Sequence, residues 1–236
     1  MTVSVPASPA SSTTAVSAGS RKAANGNDAP LDSTKHSLDV LIPDASAAKD
    51  ASLVLAIVRL INAVFLEAEA GIWDKGACRT SADEVAQMLQ GGQLVLGFLG
   101  AGSTTAPLAP SADESLYYKN PKGQQLVGCI YVKQQSPTTG FLGMLALDER
   151  YQGLGLARHL MAFAEKRCLE LGCSSAGLDL LYPTAFIHPR KARMNAWYLR
   201  LGYEIIRVSK FEEDYPEHAP LLAGPAELRI FEKRLC

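Results

Sequence analysis

From Leu53 to Ala68 the apolar residues Leu53, Ile57, Leu60, Ile61, Val64, Phe65 and Ala68 recur at three- and four-residue spacing, which predicts a helix with one apolar face. Asp44 and Ser46 are its candidate caps, and Gly71 its stop. Ahead of it, the alternating run Ser37–Ile42 predicts a strand closed by Pro43. Ser81 and Glu84 have capping-box spacing, opening a short helix through Leu89 that Gly91 and Gly92 end. Apolar runs at Gln93–Leu99, Gln125–Lys133 and Gly140–Leu147 predict buried strands, and helical periodicity returns between Gly153 and Leu171, with Gly172 as the stop. A strand at Ala176–Leu181, a helix at Arg190–Leu201 ended by Gly202, and two last strands near Tyr203–Val208 and Glu227–Lys233 complete the chain. This order predicts an α/β fold with a mixed sheet and not the strict alternation of a Rossmann domain.

With 236 residues, 47% of them hydrophobic and 20% charged, the composition is that of a globular enzyme. Residues 1–36 are rich in Ser, Ala and Thr and predict a disordered tail; residues 37–236 then make a single domain, with a flexible insertion at about 100–124. A net charge of -1 leaves no basic excess for a phosphate backbone, so no nucleic-acid partner is expected. No membrane partner is expected either, because Arg59, Asn62, Glu67 and Glu69 interrupt the most apolar stretch, Leu53–Trp73. Cys78, Cys129, Cys168, Cys173 and Cys236 form no CxxC pair and have no His at ligand spacing, which argues against a disulfide framework or a metal site. Cys129 and Cys168, set among apolar residues, read as core and not as nucleophiles. A reducing compartment, the cytoplasm, is the expectation; import into an organelle through the tail stays open.

The chemistry is concentrated after the strand Gly140–Leu147, where Asp148-Glu149-Arg150 leads into Tyr151-Gln152-Gly153-Leu154-Gly155-Leu156-Ala157 at the mouth of a helix. Two glycines and a small residue leave backbone N–H groups unobstructed at the positive end of a helix dipole, where a pyrophosphate would fit. Close packing of a strand on a helix would use the same glycines. The turn is not a P-loop, since no Gly-Lys-Ser/Thr follows, nor a dinucleotide fingerprint.

The run Gln152-x-x-Gly155-x-Ala157 after an apolar strand resembles the acyl-CoA signature of the GNAT superfamily of N-acyltransferases. Ala196-Trp197-Tyr198-Leu199-Arg200-Leu201-Gly202-Tyr203 resembles its second hallmark, in the right order and with a strand between. The resemblance implies a mostly antiparallel central sheet of about six to seven strands flanked by about four helices, with acetyl-CoA as acyl donor and no metal. It places the pyrophosphate on Gln152, Gly153, Leu154, Gly155, Leu156, Ala157 and Arg158, and the pantetheine on strand backbone at Leu145, Ala146 and Leu147. N–H groups at a bulge in that strand would polarise the thioester, and Tyr198 would protonate the departing sulfur. One departure is visible: many members carry Asn about six residues before the Tyr, where this chain has Ala192, and Asn195 falls on a different part of the turn.

An amine must lose a proton before it attacks. His188 and Asp179 are the candidate bases, beside the alternatives of a loop histidine and a paired strand carboxylate. Asp148 and Glu149 follow the cofactor strand, the former reading as a turn residue. The family receives its acceptor at the first helical region and at the loop between the last two strands, which nominates Glu67, Glu69, Trp73 and Tyr215. Acidic residues there would attract a cationic amine, with the aromatic rings as walls. The leading expectation is N-acetylation of a small-molecule amine in a ternary complex; a protein or peptide amine and a non-catalytic acyl-CoA-binding module are the alternatives. A homodimer stays open.

Overall fold

The computed structural model describes residues 38–74, 78–100 and 117–236. The expected N-terminal tail and most of the expected insertion, residues 101–116, lie outside the described residues.

Helix α1 (Ala51–Ala68) starts later than a cap at Asp44 or Ser46 would give: Asp50 is its N-cap and accepts from Ser52 and Leu53 N–H, whereas Asp44 caps a short 3-10 turn at Ala45–Lys49. By length and composition α1 could cross a membrane, yet Leu53, Val54, Ile57 and Ile61 bury against the sheet. Helix α2 (Ala82–Gln90) has the full capping box between Ser81 and Glu84. Helix α3 (Leu156–Glu170) begins after the glycine turn, at Leu156 and not at Gly153, because Gly153 and Gly155 both take left-handed backbone (φ 80° and 78°). Helix α4 (Pro189–Arg200) follows, and a short helix α5 (Phe211–Asp214), unforeseen in the sequence, stands at the start of the last loop.

Seven strands, β1 (Leu38–Leu41), β2 (Leu94–Leu99), β3 (Gln125–Gln134), β4 (Thr139–Leu147), β5 (Ser175–Pro183), β6 (Glu204–Lys210) and β7 (Ala226–Arg234), form one sheet in the order β1-β2-β3-β4-β5-β7-β6. All neighbours are antiparallel except β4 and β5. Helices α1 and α2 cover one face over Leu96, Phe98, Cys129, Tyr131 and Met144. The other face carries α3, with Tyr198 and Tyr203, over Ile130, Leu142, Leu178 and Phe231.

The β4–β5 pair positions everything that follows. These strands are in register only through Thr139↔Ser175, Gly140↔Ala176 and Phe141↔Gly177, and beyond that they separate. The closed end is tight: Cys168 of α3 lies directly over Gly140, where any Cβ would collide with its Sγ. The open end is a wedge whose walls are the remaining lengths of β4 and β5.

Candidate active site

Two irregularities shape the wall that β4 presents to the wedge. Between Cys129 and Tyr131 of β3, β4 runs from Ala146 back to Gly143, so β4 carries an extra residue around Met144–Leu145. Met144 sits there at φ 48°, the only non-glycine residue with positive φ among the described residues. Such backbone is sparsely populated for a residue with a Cβ, and the extra residue interrupts the β3–β4 ladder where Met144 and Leu145 line the wedge. Above the bulge the chain enters the glycine turn, where Gln152 Nε2 donates to Leu147 O at 3.0 Å and ties the turn to the strand end. Gly155 is the N-cap of α3 and offers no side-chain cap; the Arg158 N–H donates to Gly155 O at 3.1 Å, and Leu156 and Ala157 precede it at the positive end of the helix. A Cβ added at Gly153 or Gly155 would meet nothing within 4 Å, so these glycines are not explained by close packing. Their φ and the open space before them fit an anion held on backbone N–H groups.

The wedge is a cavity of about 90 Å³, and helix α4 lies across its mouth. Lys191, Met194 and Tyr198, one face of α4, line it. Tyr198 is buried (5% exposed), packed against Trp197, Tyr203 and Phe231, and desolvation raises its phenol above the ordinary tyrosine range. Its hydroxyl therefore keeps its proton at neutral pH and is a donor. Asp179 on β5 lines the same cavity, two residues beyond the last β4–β5 pair, with Lys133 in its electrostatic field.

The far end of the cavity is roofed. The segment after α1 and the β6–β7 loop are laced by backbone hydrogen bonds, Asp74 N–H to Leu221 O at 2.8 Å and Ala223 N–H to Ile72 O at 2.9 Å, around a Trp73↔Leu222 bridge. Beneath this roof Trp73 meets Phe211 edge-on at 5.6 Å, Phe211 stacks on Tyr215 at 5.1 Å, and all three rings line the cavity.

A match to the acetyltransferase (GNAT) family spans residues 102–203, the stretch that contains the bulged strand, the glycine turn and Tyr198. Over those residues the chain is similar to the GNAT family, and its fold is GNAT-like. Solved structures with the same fold include an aminoglycoside 6'-N-acetyltransferase complexed with coenzyme A (16% identity, TM-score 0.54, covering 84% of this chain and 97% of that one). The NatC complex bound to Gag peptide and CoA is similar too (14% identity, TM-score 0.52, covering 84% and 99%). So is Ard1 from Thermoplasma volcanium (11% identity, TM-score 0.50, covering 84% and 98%). A search of curated proteins found no sequence match.

Within this GNAT fold the residues nominated from sequence separate. Tyr198, Asp179, Glu69, Trp73, Tyr215 and Leu145 line the wedge. Ala146 and Leu147 continue the same strand, and Gln152 to Ala157 form the turn and first helical residues above it; Arg158 is exposed one step further. His188 does not line the wedge. It is buried as the N-cap of α4, and its Nδ1 accepts from Lys191 N–H at 3.4 Å. Desolvation and then the Lys191 charge lower its pKa, so it is held neutral in a structural position.

Glu67 and Glu69, expected together at the acceptor site, are not brought together, and only Glu69 lines the wedge. Glu67 is turned away from the wedge to Arg190 (2.8 Å), which also reaches Glu149 (3.1 Å). Glu69 Oε1 is 2.8 Å from Lys191 Nζ, and Trp73 Nε1–H donates to Oε2 at 2.6 Å. Burial alone would raise the Glu69 pKa, but Lys191, Arg79 and these hydrogen bonds outweigh it and hold the carboxyl below its ordinary value. Asn195, flagged beside the absent family asparagine, accepts from Arg229 at 2.8 Å on the β7 side. Cys129 and Cys168 are core thiols that burial pushes up to about 12.

Sequence reasoning missed Lys191, Arg79 and Met144. The first had a signal, since Lys191, Met194 and Tyr198 are spaced three and four apart on one helix face. Met144 had none, because a bulge depends on the pairing partner.

Proposed function

We propose that this protein is a GNAT-family acetyltransferase that transfers the acetyl group of acetyl-CoA to the primary amine of a small molecule by direct attack in a ternary complex. The observation that carries the small-molecule reading is the roof. A peptide would have to leave the wedge between the segment after α1 and the β6–β7 loop, and backbone hydrogen bonds at Ile72, Asp74, Leu221 and Ala223 join them there.

The residues present fit the donor substrate. Amides at the start of α3 would hold the pyrophosphate, and the unpaired edge of β4 from Leu145 to Leu147 would take the pantetheine amides. The acceptor ammonium gives a proton to the Asp179 carboxylate, and its nitrogen forms the new C–N bond at the thioester carbon. The oxyanion is held by N–H groups at the Met144–Leu145 bulge. As the C–S bond breaks, Tyr198 O–H protonates the sulfur and the nitrogen releases its second proton to solvent; Tyr198 then recovers a proton from solvent and Asp179 gives up the one it took. Tyr198 inside the wedge favours an enzyme over a module that only binds acyl-CoA. With all five cysteines free, a reducing compartment belongs to the same reading.

The test is CoA release from acetyl-CoA with a panel of small primary amines and of short peptides with free N-termini. Turnover with small amines and none with peptides is expected; turnover with peptides at equal efficiency would transfer the reading to a peptide acetyltransferase.

A further inference from the structure

We infer that the acceptor is a free amino acid, a molecule whose amine and carboxylate are both recognised in the wedge; this rests on the acetyltransferase reading above. Among the described residues, the ionised side chains that line the cavity are Glu69 and Asp179 against Arg79 and Lys191. Glu69 and Lys191 face each other at 2.8 Å and form the lintel of the mouth. The other two, opposite in sign, stand on different elements. Asp179 is on β5, two residues past the last β4–β5 pair, and lines the cavity together with Met144 and Leu145 of the bulge. Arg79 lies on the segment between α1 and α2, against the Phe65 ring at 5.0 Å and within the field of Glu69.

Both groups already have neighbours inside the protein, and both have capacity beyond them. A guanidinium carries five N–H donors and a carboxylate about four acceptor positions, so each can take a ligand as a further partner. A simple cationic amine would join the partners Asp179 already has and bring a net positive charge to a lining whose ionised groups sum to zero. An α-amino acid brings its own compensating pair: its ammonium goes to Asp179 beside the bulge and its carboxylate to Arg79. Phe65, Trp73 and Tyr215 then offer aromatic walls to an apolar side chain, under the roof that joins the segment after α1 to the β6–β7 loop.

The experiment compares, in the same assay of CoA release, phenylalanine and leucine with their decarboxylated amines and their carboxamides. A charge-assisted hydrogen bond to the carboxylate predicts a kcat/KM advantage for the amino acid of about 10- to 150-fold over the matched amine. Arg79→Gln should collapse that ratio toward one while the thermal shift on binding CoA persists, which separates lost recognition from a failure to fold. Amines or carboxamides used as well as the amino acids by the unaltered protein would overturn the inference and leave the acetyltransferase reading standing. If acetyl-CoA binds and no compound is acetylated, both fall. A ratio that survives Arg79→Gln removes Arg79 as the carboxylate's partner and overturns the inference as stated.

Discussion

Lys191 Nζ and Glu69 Oε1 are 2.8 Å apart with side chains only 3% and 10% exposed, and they fasten the start of α4 to the end of α1 across the mouth of the wedge. The acid that the sequence offers as an anchor for substrate is therefore part of the frame. Truncating one member leaves the other charge buried and unpaired, so Glu69→Ala should destabilise the protein by about 3–5 kcal/mol, and Lys191→Met in the same chain should restore most of it. Denaturant melts of the single and double variants check this. The pH sign follows from Glu69: its folded pKa is below its unfolded value near 4.5, so the contribution is present above about pH 4.5 and is lost as pH falls through the lower, folded value.

His188 is predicted to govern acid stability and not the rate. Its folded pKa lies below the model-peptide value of 6.5, so below that pH the unfolded chain binds a proton that the native chain resists. Stability should fall with acidification from about pH 6.5. His188→Asn, which keeps a good N-cap, should flatten that slope and leave the fold intact. Melting temperature against pH for both proteins is the measurement.

Tyr198→Phe keeps the ring that packs on Phe231 and Tyr203 and removes the only proton proposed for the sulfur. Acetyl-CoA affinity should be unchanged and kcat should drop by about 100-fold, within the range of general acid catalysis. Calorimetric binding alongside steady-state turnover distinguishes this from a packing role, in which both would move.

Gly140→Ala tests the closed end of the wedge. The new methyl overlaps Cys168 Sγ and comes within 2.9 Å of its Cβ. A loss of about 1–3 kcal/mol is expected, as for overpacked cores, and Cys168→Ala in the same chain should recover only part of it because the Cβ remains. Urea midpoints of the three proteins report it.

Much of this fold is legible in the sequence because its signals are local. The Ser81–Glu84 box, the helix-stopping glycines 91, 172 and 202, and the apolar runs of β2, β3 and β4 each fix an element from within a few residues. The glycine turn and Tyr198 are legible for the same reason. What the sequence hides is relational. Whether Glu69 faces solvent or Lys191 depends on residues 122 positions apart, and α5 forms where Asp214 can accept from both Arg207 and Ser209. His188 shows the same limit: an imidazole before a helix suits either catalysis or capping, and only its burial and its bond to Lys191 N–H decide for the cap.

In the proposed reaction acetyl passes directly from acetyl-CoA, seated on the β4–α3 glycine turn, to an amine in the wedge. A single-turnover experiment tests it most directly: the protein is mixed with carbonyl-labelled acetyl-CoA, an amino acid is added, and label on protein, donor and acceptor is followed by mass spectrometry. The expected result is labelled amide appearing in step with CoA, no label on the protein at any time, and loss of the reaction in Gly155→Val through failure to bind CoA. Labelled protein forming before the amide, or full activity in Gly155→Val, would contradict it.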